Sequence, residues 1–354
     1  MGHASGGISN VTGRFAATRE TLAELLEGEP RYRVDQVWAA LHSPRIDPSE
    51  WTELPAAMRS MIAERLPTQL EAVKESHADD GQTVKTLWRL DDGGLIESVL
   101  MHYPDRSTLC VSSQVGCAMG CSFCATGQAG FTRHLTTGEI VEQVARARAA
   151  SQATNRRLSN VVFMGMGEPL ANEPNLWPAI ETIHHEYELS ARHITVSTVG
   201  MIPGIRLLAE RPLPVTLAVS LHAADDATRT RLVPINSRYP IADLMDACKF
   251  YLAKRHRRIS FEWALIAGVN DTREQAEALA DLCRQLRPIA HVNLIPLNDT
   301  PGYPVRGSAR SVVDAFRAIL EGRGVSATVR RTRGDDIAAA CGQLAASVSP
   351  PRRR

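Results

Sequence analysis

CVSSQVGCAMGCSFC, residues 110–124, holds four of the chain's seven cysteines. It closes an apolar run, residues 107–112, that reads as a strand. Cys117, Cys121 and Cys124 follow a C-x3-C-x2-C spacing, so their thiolates share one loop and can reach a single metal or cluster. Cys110 stands seven residues upstream of Cys117. Either all four thiols close one metal site, or three hold a group with an open position and Cys110 has another task.

Downstream of this stretch, strands alternate with helices. Strands are expected at 107–112, 160–165, 193–198, 215–221, 259–266, 291–297 and 325–331. Helical periodicity fills 136–150, 175–187, 241–256, 272–286 and 309–322. Such alternation implies right-handed βαβ units and a parallel sheet. The strands are apolar on both faces, as buried parallel strands are. Their number suggests a full or partial barrel. Nearly every strand runs directly into polar or glycine-rich chemistry: GCAMGCSFC, GMGEP, STVG, SLH, AGVND, LNDTP, RGDD. In α/β barrels these strand-end loops build the active site.

Upstream, residues 16–76 read as helical, in three amphipathic, proline-punctuated stretches. Residues 82–103 read as a β-hairpin turning at Asp91-Asp92-Gly93-Gly94. The expected domains are therefore a helical accessory module over 1–80, a hairpin linker over 81–102, a core barrel over 103–336 and a C-terminal segment over 337–354.

Composition narrows the class of protein. No run approaches the ~20 apolar residues of a membrane span. The N-terminal stretch MGHASGGISNVTGRF has no apolar core, so a secretory leader is not expected and a cytoplasmic location is. Seven clustered cysteines in a reducing compartment favour metal binding or catalysis over a disulfide framework. Cys248 and Cys283 fall on helices and read as core thiols. The net charge of +1 says nothing of nucleic acid, but KRHRR (254–258), RRTRG (330–334) and the RRR tail are basic runs that could touch phosphate.

A structural zinc wants four closed ligands, and Cys110 could serve as the fourth. An iron–sulfur cluster on three cysteines would leave one iron open. The position after the first barrel strand, with Phe123 just before the last cysteine, resembles the radical S-adenosylmethionine (SAM) superfamily. The resemblance implies a [4Fe–4S] cluster on Cys117, Cys121 and Cys124. The fold it implies is a partial TIM-like radical SAM barrel, here with the small N-terminal helical domain and the linking hairpin. MGMGEP (164–169) resembles the superfamily's motif for the SAM amino group, which Glu168 would accept.

A longer set of motifs is narrower still. CVSSQVGCAMGCSFCATGQAGF, FMGMGEPL, SLHA, VPIN, VNLIP and RRTRGDDIAAACGQL, spread in order over residues 80–346, resemble the RlmN family of dual-specificity RNA methyltransferases. That resemblance implies methylation of adenine C2 in 23S rRNA and tRNA, with two SAM molecules per turnover. Cys341 would carry the methyl group as S-methylcysteine. A deoxyadenosyl radical would activate it, Cys110 would resolve the adduct through a transient Cys110–Cys341 disulfide, and Glu97 would accept the C2 proton. SAM contacts would fall on Gly167, Glu168, Ser197, Ser220, Leu221, His222 and Asn298. An electron donor and a disulfide reductant are implied partners, and the enzyme is expected to be a monomer.

C2 of adenine is electron-poor and has no nucleophilic lone pair, so a carbon radical suits it better than displacement on SAM. Two other readings stay open, beside that of a radical SAM enzyme acting on a small molecule. One is a relative that methylates C8, which shares the cysteines and Glu97; QVGC, GEP and TRGDD (332–336) favour C2. The other is a zinc-stabilised RNA-binding module without catalysis.

Overall fold

The computed structural model describes residues 13–297 and 306–330, and within the C-terminal stretch residues 333–334, 337–339 and 342–344. Three helices come first: α1 (Arg19–Leu25), α2 (Tyr32–Leu41) and α3 (Ala56–Arg65). Thr18 and Thr21 form a reciprocal capping box at the start of α1. Leu22, Val37, Leu41, Trp51 and Ile62 are buried and join one continuous hydrophobic core with the barrel.

Residues 70–78, expected to continue the helical module, form strand β1 (Leu70–Ala78) instead. It pairs with β2 (Thr83–Leu90) at the edge of the sheet, and nearly all its side chains are exposed. An edge strand held by main-chain pairing shows no apolar alternation, so LEAVKESHA carries no strand signal. The hairpin β2–β3 (Leu95–His102) turns where expected, and β3 pairs antiparallel with β4 (Arg106–Cys110).

β5 (Gln114–Gly116) and β6 (Phe131–His134) form a separate two-stranded ribbon flanking the cysteine loop and the short helix α4 (Ala125–Gln128). The main sheet continues through β7 (Arg157–Phe163), β8 (Ile194–Thr198), β9 (Thr216–Ser220), β10 (Ser260–Leu265), β11 (His291–Pro296) and β12 (Ala327–Val329). Its order is β1-β2-β3-β4-β7-β8-β9-β10-β11-β12, and every pair from β4 to β12 is parallel. The helices between strands are α5 (Thr137–Ala153), α6 (Glu173–His185), α7 (Ile202–Glu210), α8 (Asp226–Leu232), α9 (Ile241–Arg255), α10 (Arg273–Arg284) and α11 (Arg310–Gly322). Cys248 on α9 and Cys283 on α10 are fully buried in the core, as expected.

Among the described residues β4 and β12 do not pair, so the parallel sheet is an open barrel. The chain after β12 reaches back toward the antiparallel strands. Arg333 donates to the His102 carbonyl at 2.8 Å and stacks on Tyr103 at 4.3 Å. The Gly334 N–H donates to Asp79 at 3.2 Å, and Lys85 Nζ donates to the Ala338 carbonyl at 3.1 Å.

Register fixes which side chains look inward, because paired residues share a face. One row runs Lys85–Val99–Cys110–Val162–Thr195–Thr216. Glu97, two residues from Val99, is on the same face. A second row on that face runs Ser220–Glu262–Asn293–Thr328.

Candidate active site

The main cavity lies at the C-terminal ends of the parallel strands, with about 980 Å³ of space including its open mouth. Cys117, Cys121 and Cys124 line one side, and Gly165, Gly167 and Glu168 line another. Ser197, Ser220 and His222 complete the wall together with Glu262 and Gly342. The expected SAM contacts Gly167, Glu168, Ser197, Ser220 and His222 thus share one cavity with the three cysteines, although they come from separate strand ends.

The cysteine loop is shaped by its flanks. Gly116 has φ +75°, and a Cβ there would sit 1.9 Å from the Gly130 carbonyl oxygen, so only glycine fits. The Cys117 N–H donates to that same carbonyl at 2.8 Å. Burial pushes the Cys117 thiol up to about 12, with Glu168 and Cys124 adding to the rise. Burial raises Cys121 further, and Cys124, Cys117 and Glu168 add to it. Cys117 and Cys121, buried beside a carboxylate, become thiolates only against cationic metal. Among the described residues, no three metal-ligating side chains converge on one point.

MGMGEP departs from its expected rationale in one respect. The sequence suggests that its glycines let a ligand approach the backbone. A Cβ on Gly165 would instead meet the Val111 carbonyl oxygen at 2.7 Å, and one on Gly167 (φ +104°) the Gln114 Cβ at 2.6 Å. The glycines allow the loop to pack against residues 111–114 while still lining the cavity. That packing presents Glu168, whose N–H donates to Gln114 Oε1 at 2.8 Å. Its carboxylate accepts from the Leu170 N–H at 3.1 Å and the Val199 N–H at 2.9 Å. Burial pushes Glu168 up to about 7 against those hydrogen bonds. A cationic group in the cavity would restore its charge, which fits the ammonium of SAM.

His222 takes a left-handed backbone, φ +59°. Its Nδ1 accepts the Ala264 N–H at 2.9 Å, and its ring meets Phe123 edge-on at 4.7 Å. Burial, assisted by Arg229, lowers it to about 3. The ring is therefore neutral, and with Nδ1 accepting, its proton sits on Nε2 as a donor. Leu221 is fully buried and does not line the cavity; its N–H donates to the Glu262 carbonyl at 3.1 Å and its own carbonyl accepts from Arg229 at 3.1 Å. Asn298 and Cys341 lie outside the described residues. Gly342, next to Cys341, lines the cavity, and its carbonyl accepts the Ala125 N–H at 2.7 Å.

Sequence reading missed four residues here. Glu262 is a buried carboxylate on the cavity wall; its Oε1 accepts from Asn293 at 2.8 Å, and its Oε2 lies 3.3 Å from Arg330. Arg229 is fully buried and donates to Asn236 Oδ1 at 2.8 Å and to the carbonyls of Leu221 and Val199 at 3.1 and 2.6 Å. It straps the ends of β8 and β9 together, and Asn236 in VPIN was its one visible trace. Gln114 carries the Glu168 backbone. Lys85 pairs with Glu97 at 3.0 Å, both side chains buried; strand alternation across the 91–94 turn could have put these two on one face.

The two basic runs separate. Arg330 stands on the mouth side of the sheet, beside Glu262 and Met164, whereas Arg333 reaches the His102 carbonyl near the N-terminal end of β4. KRHRR lies between α9 and β10, at the opposite ends of the strands. Lys254 pairs with Glu210 at 3.1 Å, and Arg255 donates to the Ala209 carbonyl at 2.8 Å.

An open parallel barrel with three thiols and a buried acidic loop at its mouth defines a radical SAM enzyme. Residues 111–283 match the Radical SAM superfamily. A solved radical SAM methyltransferase from Sphaerobacter thermophilus superposes with a TM-score of 0.91 at 49% identity, over 95% of this chain and 99% of that one. Relatives named "Probable dual-specificity RNA methyltransferase RlmN" are 50% identical in Corynebacterium diphtheriae (92% of this chain, 90% of that one) and 51% identical in Rhodococcus opacus (93% and 92%). This chain belongs to the RlmN family of dual-specificity RNA methyltransferases, within the radical SAM superfamily. No helix among the described residues is long and apolar enough to cross a membrane.

Proposed function

We propose that the chain methylates C2 of adenine in 23S rRNA and tRNA, in the cytoplasm, through a methyl group carried on Cys341. One observation carries this reading. Cys110 and Glu97 share the inward face of the sheet, and the chain segment bearing Cys341 runs onto the same cavity as the cluster thiols, through Gly342. A [4Fe–4S] cluster on Cys117, Cys121 and Cys124, with SAM bound to it, supplies radical chemistry when present. Glu168, Ser197, Ser220, His222 and Asn298 orient SAM, with Leu221 contributing through its backbone. The carboxylate of Glu168 suits the amino group, and the Nε2–H of His222 offers a fixed donor.

Cys341 takes a methyl group from one SAM and delivers its carbon to the adenine with the help of a second. Glu97 accepts the C2 proton. Cys110 attacks the Cys341 sulfur to free the product, and an external reductant reopens the resulting disulfide. An electron donor is required as well. The protein acts as a monomer, and the helical module with the basic mouth-side residue Arg330 meets the RNA.

Nucleoside mass spectrometry of RNA from a strain lacking the gene tests the reading. Wild type should restore 2-methyladenosine, Cys341→Ala should not, and Cys110→Ala should accumulate a covalent protein–RNA adduct. Restoration of 8-methyladenosine instead would assign the protein to the C8 chemistry. Loss of all metal in Cys110→Ala would favour the zinc module.

A further inference from the structure

We propose that Lys85 is a positioning residue for methyl transfer: its ammonium holds the Glu97 carboxylate aimed, and ties it to the segment that carries Cys341. The proposal rests on the reading of Glu97 as proton acceptor. Two distances carry it. Lys85 Nζ lies 3.0 Å from Glu97 Oε1 and donates to the Ala338 carbonyl at 3.1 Å. Both side chains are shut away from water, at 7% and 1% exposure.

A lysine is almost never this buried unless paired. A carboxylate this buried is driven toward its neutral form unless a cation or hydrogen bonds oppose it. Each group therefore supplies what the other's burial demands.

Glu97 is also fixed from its main chain. Its carbonyl accepts from Ser112 Oγ at 2.6 Å, and Ser112 Oγ accepts the Met166 N–H at 2.8 Å. The backbone of Glu97 is thus pinned to the glycine loop of the mouth, while its carboxylate is pinned by β2. Among the described residues, the charged and titratable groups on this face beside Glu97 are Lys85 on β2 and Cys110 on β4. The C-terminal segment contributes the Ala338 carbonyl, which accepts from Lys85.

That carbonyl gives Lys85 its second role. Ala338 belongs to the stretch that leads to Cys341. With one donor on Glu97 and another on Ala338, the ammonium is fully directed only when this stretch is docked. The base and the carbon-carrying cysteine are then set by one cation. The step itself is a proton transfer: the electron pair of the C2–H bond stays with the purine ring, the proton goes to Glu97, and Lys85 keeps its own.

The test compares Lys85→Gln, Lys85→Arg and Glu97→Gln holoenzymes under single turnover. Product is read as 2-methyladenosine, with 5′-deoxyadenosine and iron–sulfide content as parallel readouts. Lys85→Gln keeps a donor but loses the charge. It should keep its cluster and its 5′-deoxyadenosine and lose about tenfold to a hundredfold in product. Lys85→Arg, which keeps a cation beside Glu97, should recover most of that loss. Should Lys85→Gln fail to load its cluster, a Lys85→Arg enzyme that forms 5′-deoxyadenosine but no product overturns the proposal. A wild-type rate in Lys85→Gln also overturns it, as does a loss of product shared with 5′-deoxyadenosine. If Glu97→Gln still forms product at the wild-type rate, the reading of Glu97 itself falls. If Glu97→Gln is inactive and Lys85→Gln is unchanged, only the role of Lys85 falls.

Discussion

The two ends of the parallel strands are made of similar residues and do different things. At the mouth, Glu262, Arg330 and His222 sit among thiols, a carboxylate and hydroxyls around one cavity. At the opposite end, Thr216, His256, Arg257, Arg258, Ser260 and His291 line a basic hollow. There the polar groups are largely spent on one another: Arg257 donates to Thr216 at 3.1 Å, and His291 meets Ser326 and Thr328, each at 3.1 Å. The charge of a segment therefore says little about its task. Its place along the strand says more, because the C-terminal ends collect loops that can converge while the N-terminal ends turn tightly into helices.

Substitution can break this contrast. The largest effect should come from Cys121→Ala, which should abolish iron–sulfide content and all product, whereas Cys248→Ala should keep both; metal analysis and product assay on the two variants decide it. Arg229→Met comes next. It strands the buried oxygens that Arg229 serves and should cost about 3–5 kcal/mol in urea unfolding.

His222 gives a pH test. Its pKa is lowered from 6.5 to about 3 in the fold, so the unfolded chain binds the proton first. Stability from this group is fully present above pH 6.5 and is lost as pH falls toward 3. His222→Gln should therefore lose less stability between pH 7 and about 5 than wild type does. A parallel decline in the two proteins would contradict the neutral ring.

Smaller effects compare the basic runs directly. Replacing Arg330 with Gln should weaken RNA binding and lower the slope of log affinity against log salt by about one if it neutralises one phosphate. Replacing Arg257 and Arg258 with Gln should leave affinity within about twofold, since an arginine contributes only where RNA reaches it. Equal weakening at both ends would mean that RNA wraps the whole barrel.

Much of this was legible beforehand because it is local. Each core strand was expected within a few residues of its observed place, since buried parallel strands are continuous apolar runs. Cys117, Cys121, Cys124, Glu168 and His222 were visible because each follows such a run. Strand β1 was missed because an edge strand buries almost nothing. Lys85 was missed because a lysine in TVKTLWRL looks like any solvated strand residue until Glu97 is laid beside it.

The sequence by itself determined the strand–helix alternation, the cluster cradle and the family, because periodicity and motif spacing are properties of neighbours along the chain. Only the tertiary structure decided which face each strand residue takes, which basic run stands at the mouth, and what each glycine serves. Register, burial and the meeting of distant segments arise from pairing across the sheet. Lys85 and Ala338 are 253 residues apart in sequence and 3.1 Å apart in the fold; no local pattern records that proximity.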